Sequence, residues 1–247
     1  MAKVYDDIKD NHLDLKFSSD ETISVFVTKD LTINYDLNDG DYKILVFFNS
    51  DANLNFVEKG SVKNSTVLIN YLDLNNISLN YENNIDVYDG SNLTVNSIFL
   101  GVNHKNIKFN LVNKQRDSVV NISNNVVCLN DSDFSMDVVG KIEKGAKNSK
   151  CHQKNRCLTF ENPKQSRILP VLLIDENDVE ASHSLSSGTI DSDVLFYMNS
   201  RGLTKEDALK LLLVSYLIPS EEFYKDYLKG EVIKDIVDKK VSKICLI

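Results

Sequence analysis

The sequence predicts a mainly β protein, a parallel β-helix carrying a small α-helical appendage at its C-terminal end. Three observations lead there: hydrophobic residues alternate with a period of two through most of the chain, asparagine is concentrated in the same stretch, and the period changes near the end. The first part alternates in short runs. Leu31, Ile33, Tyr35 and Leu37 share one face, with Thr32, Asn34 and Asp36 between them. Leu72, Leu74, Ile77, Leu79 and Tyr81 form broken sets around Asn75-Asn76. Ile107, Phe109 and Leu111 repeat the pattern, as do Phe134, Met136 and Val138. A dozen or so short strands are expected between about residues 20 and 180, after about 20 residues with no strand. Turns are marked by Asn38-Asp39-Gly40 and Asp89-Gly90-Ser91.

All 28 asparagines lie at or before Asn199. Asparagine is poor inside helices and good in turns, and in a solenoid its side chains can bond from coil to coil. Two-residue hairpin signals between long strands, the mark of a sandwich, are not prominent. No strict repeat length emerges either, so the pattern favours an irregular β-helix and leaves an ordinary β-sandwich open. Residues 1–189 are expected to form the β-helix domain and 190–247 a helical domain. Asp191 is placed to cap a helix over Ser192–Ser200, with Val194, Leu195, Tyr197 and Met198 on its apolar side and Gly202 as its stop. Thr204, with Asp207 three residues on, caps a second helix carrying Ala208, Leu209, Leu212, Leu213 and Tyr216. Pro219 ends it, and Ser220 caps a further helix with Phe223, Tyr227, Val232, Ile233 and Ile236.

The 247 residues carry a net charge of −8, which argues against a nucleic-acid groove. No stretch reaches the roughly 18 to 20 apolar residues of a membrane span. The polar, acidic start predicts no signal peptide, and hence a cytoplasmic protein with reduced cysteines. Cys128, Cys151, Cys157 and Cys245 form no C-x-x-C pair, so a structural zinc is not expected. There is no phosphate-binding loop, nucleophile elbow or zinc-protease motif, and no carboxylate pair stands out as it would in a sugar-cleaving solenoid. His12, His104 and His183 are isolated. His152 adjoins Cys151, but Lys147, Lys150 and Lys154 around it read as a solvated turn. Cys157 falls where alternation would bury it as a small hydrophobe.

The segment from Lys141 to Phe223 resembles the SufB/SufD family, scaffold proteins of the SUF iron–sulfur assembly system. Pro170 to Ile174 followed by Asn177-Asp178-Val179 is similar to a family strand, and Ser182-His183 with Gly188 to a second motif. Leu195-Phe196-Tyr197 with Ser200-Arg201-Gly202 is similar to a helix and turn that Ala208 and Leu212 continue. Ala146, Ser149, Gln153, Asn155 and Leu158 resemble an earlier coil, with Cys151 in place of an alanine. The resemblance covers about a third of the chain well, and more loosely everything from Gly101 onward. It implies a right-handed parallel β-helix with a C-terminal helical domain. It also implies pairing with a second SufB/SufD-like subunit, as a homodimer or heterodimer, and docking of a SufC-like ABC ATPase through the helices.

Asn155 stands where SufB has a reactive cysteine, and Ser184 where SufB has a glutamate, so SufD is the better match. The family's important histidine carries over to His183 as a candidate iron ligand, and Cys157, on the same strand face as Asn155, is a weaker candidate thiolate. Phe196, Tyr197, Arg201 and Gly202 are the candidate ATPase-docking residues, with packing into the fold as the alternative role for the two aromatics. The expected function is a non-catalytic scaffold with at most a transient iron–sulfur cluster and no tightly bound cofactor. A β-helix module without cluster chemistry and a carbohydrate-active β-helix are the alternatives. Family members are longer and begin with a helical domain, so a short β-helix is expected here.

Overall fold

A computed structural model of the chain describes residues 2–160, 163–217, 223, 226–227 and 230–244. Fifteen strands alternate between two parallel sheets. One sheet holds β1 (Ala2–Tyr5), β3 (Glu21–Val27), β5 (Asp41–Phe48), β7 (Thr66–Asp73), β9 (Asn92–Gly101), β11 (Val119–Cys128), β13 (Ser149–Thr159) and β15 (Val179–Thr189), in that order. The other holds β2 (His12–Phe17), β4 (Leu31–Asn38), β6 (Leu54–Lys63), β8 (Leu79–Val87), β10 (His104–Asn113), β12 (Asp133–Ile142) and β14 (Gln165–Ile174). Each strand pairs in parallel with the strand two places on in the chain, which is the topology of a β-helix and excludes the sandwich. Strands begin at Ala2, not after 20 residues as the sequence pattern implied, and the last rungs run 10 or 11 residues rather than being short.

The rungs are unequal, which hides the repeat. Glu21 faces Tyr42, whereas Asp41 faces Thr66 and Val119 faces Lys150. Inward positions are apolar and stack rung on rung: Ile23, Ile44, Ile69 and Val95 lie in register and are fully buried. Phe48, Phe56, Tyr81, Phe99 and Phe109 add a run of tilted and edge-on ring contacts at 5.1 to 6.5 Å. The asparagines do at the corners what the sequence predicts. Asp39, Asn64, Asn103, Asp117 and Asn148 all have φ between +46° and +58°, a region these side chains tolerate. They also bond between rungs: Asn64 donates to Asp39 at 2.7 Å, Asn103 to Asn76 at 2.7 Å and Asn148 to Asp117 at 2.6 Å.

Two polar groups sit deep inside. Glu58 is 0% exposed and accepts from Tyr35 on Oε1 (2.5 Å), and from Tyr81 (2.5 Å), Tyr71 (2.7 Å) and Asn83 (2.9 Å) on Oε2. Lys105, also 0% exposed, donates to Asp73 at 2.6 Å and to the Asn75 carbonyl at 3.0 Å.

Among the described residues three helices follow: α1 (Ser192–Ser200), α2 (Lys205–Leu217) and α3 (Gly230–Ile244). Leu213 and Leu217 of α2, Tyr227, and Ile233 and Val237 of α3 form one apolar cluster with the outer face of the eight-stranded sheet. That face supplies Phe26, Leu45, Phe47, Leu72, Ile98, Leu100, Val127 and Leu158. The predicted stop at Pro219 and cap at Ser220 lie outside the described residues. None of the described helices is long and apolar enough to cross a membrane.

Candidate functional site

The C-terminal mouth of the solenoid gathers most of the residues singled out in the sequence. On β13 the inward side chains Cys151, Gln153, Asn155 and Cys157 are all buried. Their register partners on β15 are Ala181, His183, Leu185 and Ser187, and all four are exposed because no further rung covers β15. His183 therefore stands on the inward face at the open end, one rung above Gln153. Gln153 donates to the Val171 carbonyl at 3.1 Å, and its Oε1 is buried without a hydrogen-bond partner. Asn155 closes an internal ladder. Ser97 donates to Asn124 (2.5 Å), Asn124 to Asn155 (2.8 Å), and Asn155 to the Ser184 carbonyl (3.2 Å).

Cys157 is buried, as its alternation predicts, and its Sγ lies 3.9 Å from Cys128 Sγ on the neighbouring rung. The Ser166 and Thr159 hydroxyls approach it at 3.2 and 4.0 Å. Hydrogen bonding from Cys128 and these hydroxyls outweighs burial and holds the Cys157 thiol below the ordinary range. Cys128 shifts the other way, because it keeps the proton it shares with Cys157 and is itself desolvated. Cys151 has no such donors, and desolvation alone pushes it up to about 12. The pairing of Cys128 with Cys157 was not read from the sequence. Both occupy inward positions near strand ends, which was the available signal.

His183 and Cys157 share a face but not a site. Their register partners are four residues apart, roughly 13 Å of strand. Among the described residues no group of three or more His, Cys, Asp or Glu side chains could hold a metal ion. Cys151 and His152 lie on a strand, not in the solvated turn expected for them. Alternation sends Cys151 inward and His152 outward, where its Nδ1 lies 2.8 Å from the Ser182 hydroxyl, so they cannot form a metal pair. His12 lies beside Asp14 and Asn34, and His104 lies 2.9 Å from Asp133, both on the surface. Cys245 falls outside the described residues.

Beyond β15 the chain forms α1, capped by Asp191, which accepts from the Asp193 N–H at 2.8 Å. No residue of α1 is buried. Phe196 is 75% exposed and Tyr197 59%, so neither packs into the fold. The Arg201 guanidinium lies 5.2 Å from the Tyr197 ring centre. Gly202, at φ +92°, supplies the left-handed stop. Thr204 accepts from the Asp207 N–H at 3.1 Å and donates to its carboxylate at 2.7 Å, fixing the start of α2.

The family model for the SUF system FeS cluster assembly SufBD core domain matches residues 43–216. Curated relatives agree. Iron–sulfur cluster assembly protein SufD of Bacillus subtilis is 35% identical over 105 residues, covering 42% of this chain and 24% of that protein. SufD of Escherichia coli is 34% identical over 68 residues, 27% of this chain and 16% of that one. A SufBD family protein of Pyrococcus horikoshii is 32% identical over 80 residues, 32% of this chain and 18% of that one. The matched segments thus take in a quarter or less of each relative's length. With a family match over most of its length, a two-sheet parallel solenoid and curated relatives that include two SufD proteins, the chain belongs to the SufB/SufD family of the SUF iron–sulfur cluster assembly system.

Proposed function

We propose that the chain is a non-catalytic scaffold subunit of a SUF-type iron–sulfur assembly complex, pairing through the solenoid mouth and docking a SufC-like ATPase through α1. The observation that carries this reading is an open last rung beside a helix with no buried residue. Among the described residues the edge strands β14 and β15 pair on one side only, and they expose Leu169, Leu173, Ile174 and Leu185 at 39 to 47%. A second SufB/SufD-like subunit would cover them. Phe196 and Tyr197 are the anchors offered to the ATPase, with Arg201 beside them and Gly202 setting the turn that presents them. Because α2 packs on β9 and β11, a force applied at the helices would reach the sheet that carries His183.

The cluster is cargo in this scheme. His183 offers it one imidazole nitrogen at the mouth, and the paired subunit supplies further ligands. Carbohydrate cleavage fits less well. The polar cleft of about 320 Å³ on the outer sheet face is lined by Asn96, Ser123, His152, Lys154 and Ser182 among others, and none of its lining residues is Asp or Glu.

The test is co-purification of the full chain with a SufC-like ATPase from the same organism. The wild type is expected to bind, and Phe196→Asp/Tyr197→Asp to lose binding at least tenfold with an unchanged melting temperature. Leu169→Asp/Leu173→Asp should keep ATPase binding and lose subunit pairing. A folded wild-type chain that does not bind the ATPase overturns the assignment.

A further inference from the structure

We propose that Cys157 is an oxidation site for small hydroperoxides, with Cys128 as its resolving thiol. The two sulfurs are 3.9 Å apart on adjacent rungs, on the same inward face, with Val126 rather than Cys128 directly opposite Cys157. The hydroxyl of Ser166 at 3.2 Å, that of Thr159 at 4.0 Å and the Cys128 thiol at 3.9 Å all lie where they can donate to the Cys157 sulfur. A thiolate is the sulfur species such donors favour, and it is the nucleophilic one. Cys151 makes the contrast on the same strand. It faces the same interior, is 0% exposed, has no hydroxyl or thiol neighbour acting on it, and stays protonated.

Access comes from the end of the solenoid. Cys157 sits one rung below the last, and its register partner Ser187 is exposed. Cys157 keeps 5% of its surface exposed at this end. A metal-site reading of the two thiols fails for want of a third His, Cys, Asp or Glu ligand among the described residues.

The chemistry balances in two steps. The Cys157 thiolate attacks one peroxide oxygen, an S–O bond forms as the O–O bond breaks, and the departing alkoxide or hydroxide takes a proton. Sulfur is oxidised by two electrons to a sulfenic acid, and the peroxide is reduced to alcohol or water. The Cys128 sulfur then attacks Cys157, releasing water and leaving a disulfide. Closure brings the sulfurs from 3.9 Å to about 2.05 Å, so both strand ends must adjust. The inference does not depend on the partners proposed above.

The experiment uses the purified full chain alone. It is treated with equimolar hydrogen peroxide, alkylated and peptide-mapped without reduction, which separates Cys245 from the other three thiols. A Cys128–Cys157 linked peptide two hydrogens lighter than its parts is expected, with Cys151 unmodified. In Cys128→Ala a dimedone-reactive sulfenic acid should accumulate at Cys157. In Cys157→Ala the initial peroxide consumption should fall at least tenfold. Iodoacetamide labelling of the wild type against pH needs no variant, and should give Cys157 a midpoint at least one unit below the ordinary thiol value of about 8.5. Equal rates at Cys157 and Cys151, a Cys157 midpoint at or above the ordinary value, or oxidation of Cys157 that never yields the linked peptide would each overturn the proposal.

Discussion

Tyr35→Phe removes one hydroxyl from the solenoid interior and should be unusually costly for so small a change. Glu58 is wholly buried, and among the described residues Tyr35 alone donates to its Oε1, whereas Oε2 receives Tyr71, Tyr81 and Asn83. Phenylalanine keeps the ring and leaves one carboxylate oxygen dry and unbonded. A hydrogen bond to a buried charged group contributes about 1.5–3 kcal/mol. At about 2–4 °C per kcal/mol for a chain of this size, the melting temperature should drop by about 3–12 °C. Tyr71→Phe and Tyr81→Phe leave two donors on Oε2 and should each cost about 1 kcal/mol.

The pH dependence has a definite sign. Burial, only partly offset by the donors, holds the Glu58 carboxyl above its ordinary value near 4.5. Its stabilising contribution is therefore full below that value and is lost as pH rises through the folded pKa. Removing the Tyr35 hydroxyl penalises only the ionised form, which raises the folded pKa further. The deficit of Tyr35→Phe should be small at pH 4 and complete at pH 8, and Glu58→Gln should flatten this part of the profile. Melting and urea unfolding followed by circular dichroism at both pH values check this. A Tyr35→Phe protein within 0.5 kcal/mol of wild type at pH 8, or a deficit that is larger at pH 4, would refute the reasoning.

Lys105→Met leaves Asp73 charged, buried and without its ammonium partner, and should cost about 3–5 kcal/mol in urea unfolding. The double variant Lys105→Met/Asp73→Asn removes the stranded charge and should recover more than half of that loss. Gly60→Ala would put a Cβ 2.2 Å from the Tyr35 carbonyl oxygen and 2.6 Å from its Cβ, where no rotamer gives relief. It should cost about 3 kcal/mol or more, and combined with Tyr35→Phe the loss should be less than additive, because displacing Tyr35 already weakens its bond to Glu58.

Alternation made the interior legible wherever it was apolar. Leu31, Ile33, Tyr35 and Leu37 all face inward as read, and so do Ile107, Phe109 and Leu111. The same parity, extended two residues back, lands on Lys105, and in Phe56, Glu58, Gly60 and Val62 it lands on a charge and a glycine. Those exceptions are the buried polar groups, and they were passed over because a charged residue in a strand reads as outward. The first strands were missed for a related reason. Ala2–Tyr5 and His12–Phe17 form the first rung of the described residues, where most positions are only partly buried, so their pattern is weak. The bounds of α1 and the start of α2 were legible because Asp191, Gly202 and Thr204 act locally, whereas α3 begins only at Gly230, so Tyr227 lies outside the helix that the sequence pattern assigned it to. The thiol pair was not legible, because the two cysteines are not register partners: Val126 faces Cys157 and Thr159 faces Cys128, so the sulfurs meet on a diagonal between rungs. His183 was found through family resemblance, and its exposure follows only from its place on the last rung.

A stack of rungs held only by its neighbours can come apart one layer at a time, from either end. Here the apolar seam from Phe26 to Leu158 under α2 and α3 reaches from the third strand of the chain to the thirteenth. It works as a splint laid along one side of a column, so layers far apart in the stack are clamped to the same two rods. Among the described residues the opposite sheet has no such brace. Opening on that side can proceed layer by layer, whereas on the braced side it must first lift the helices, and whatever grips α1 is pulling on the end of the splint.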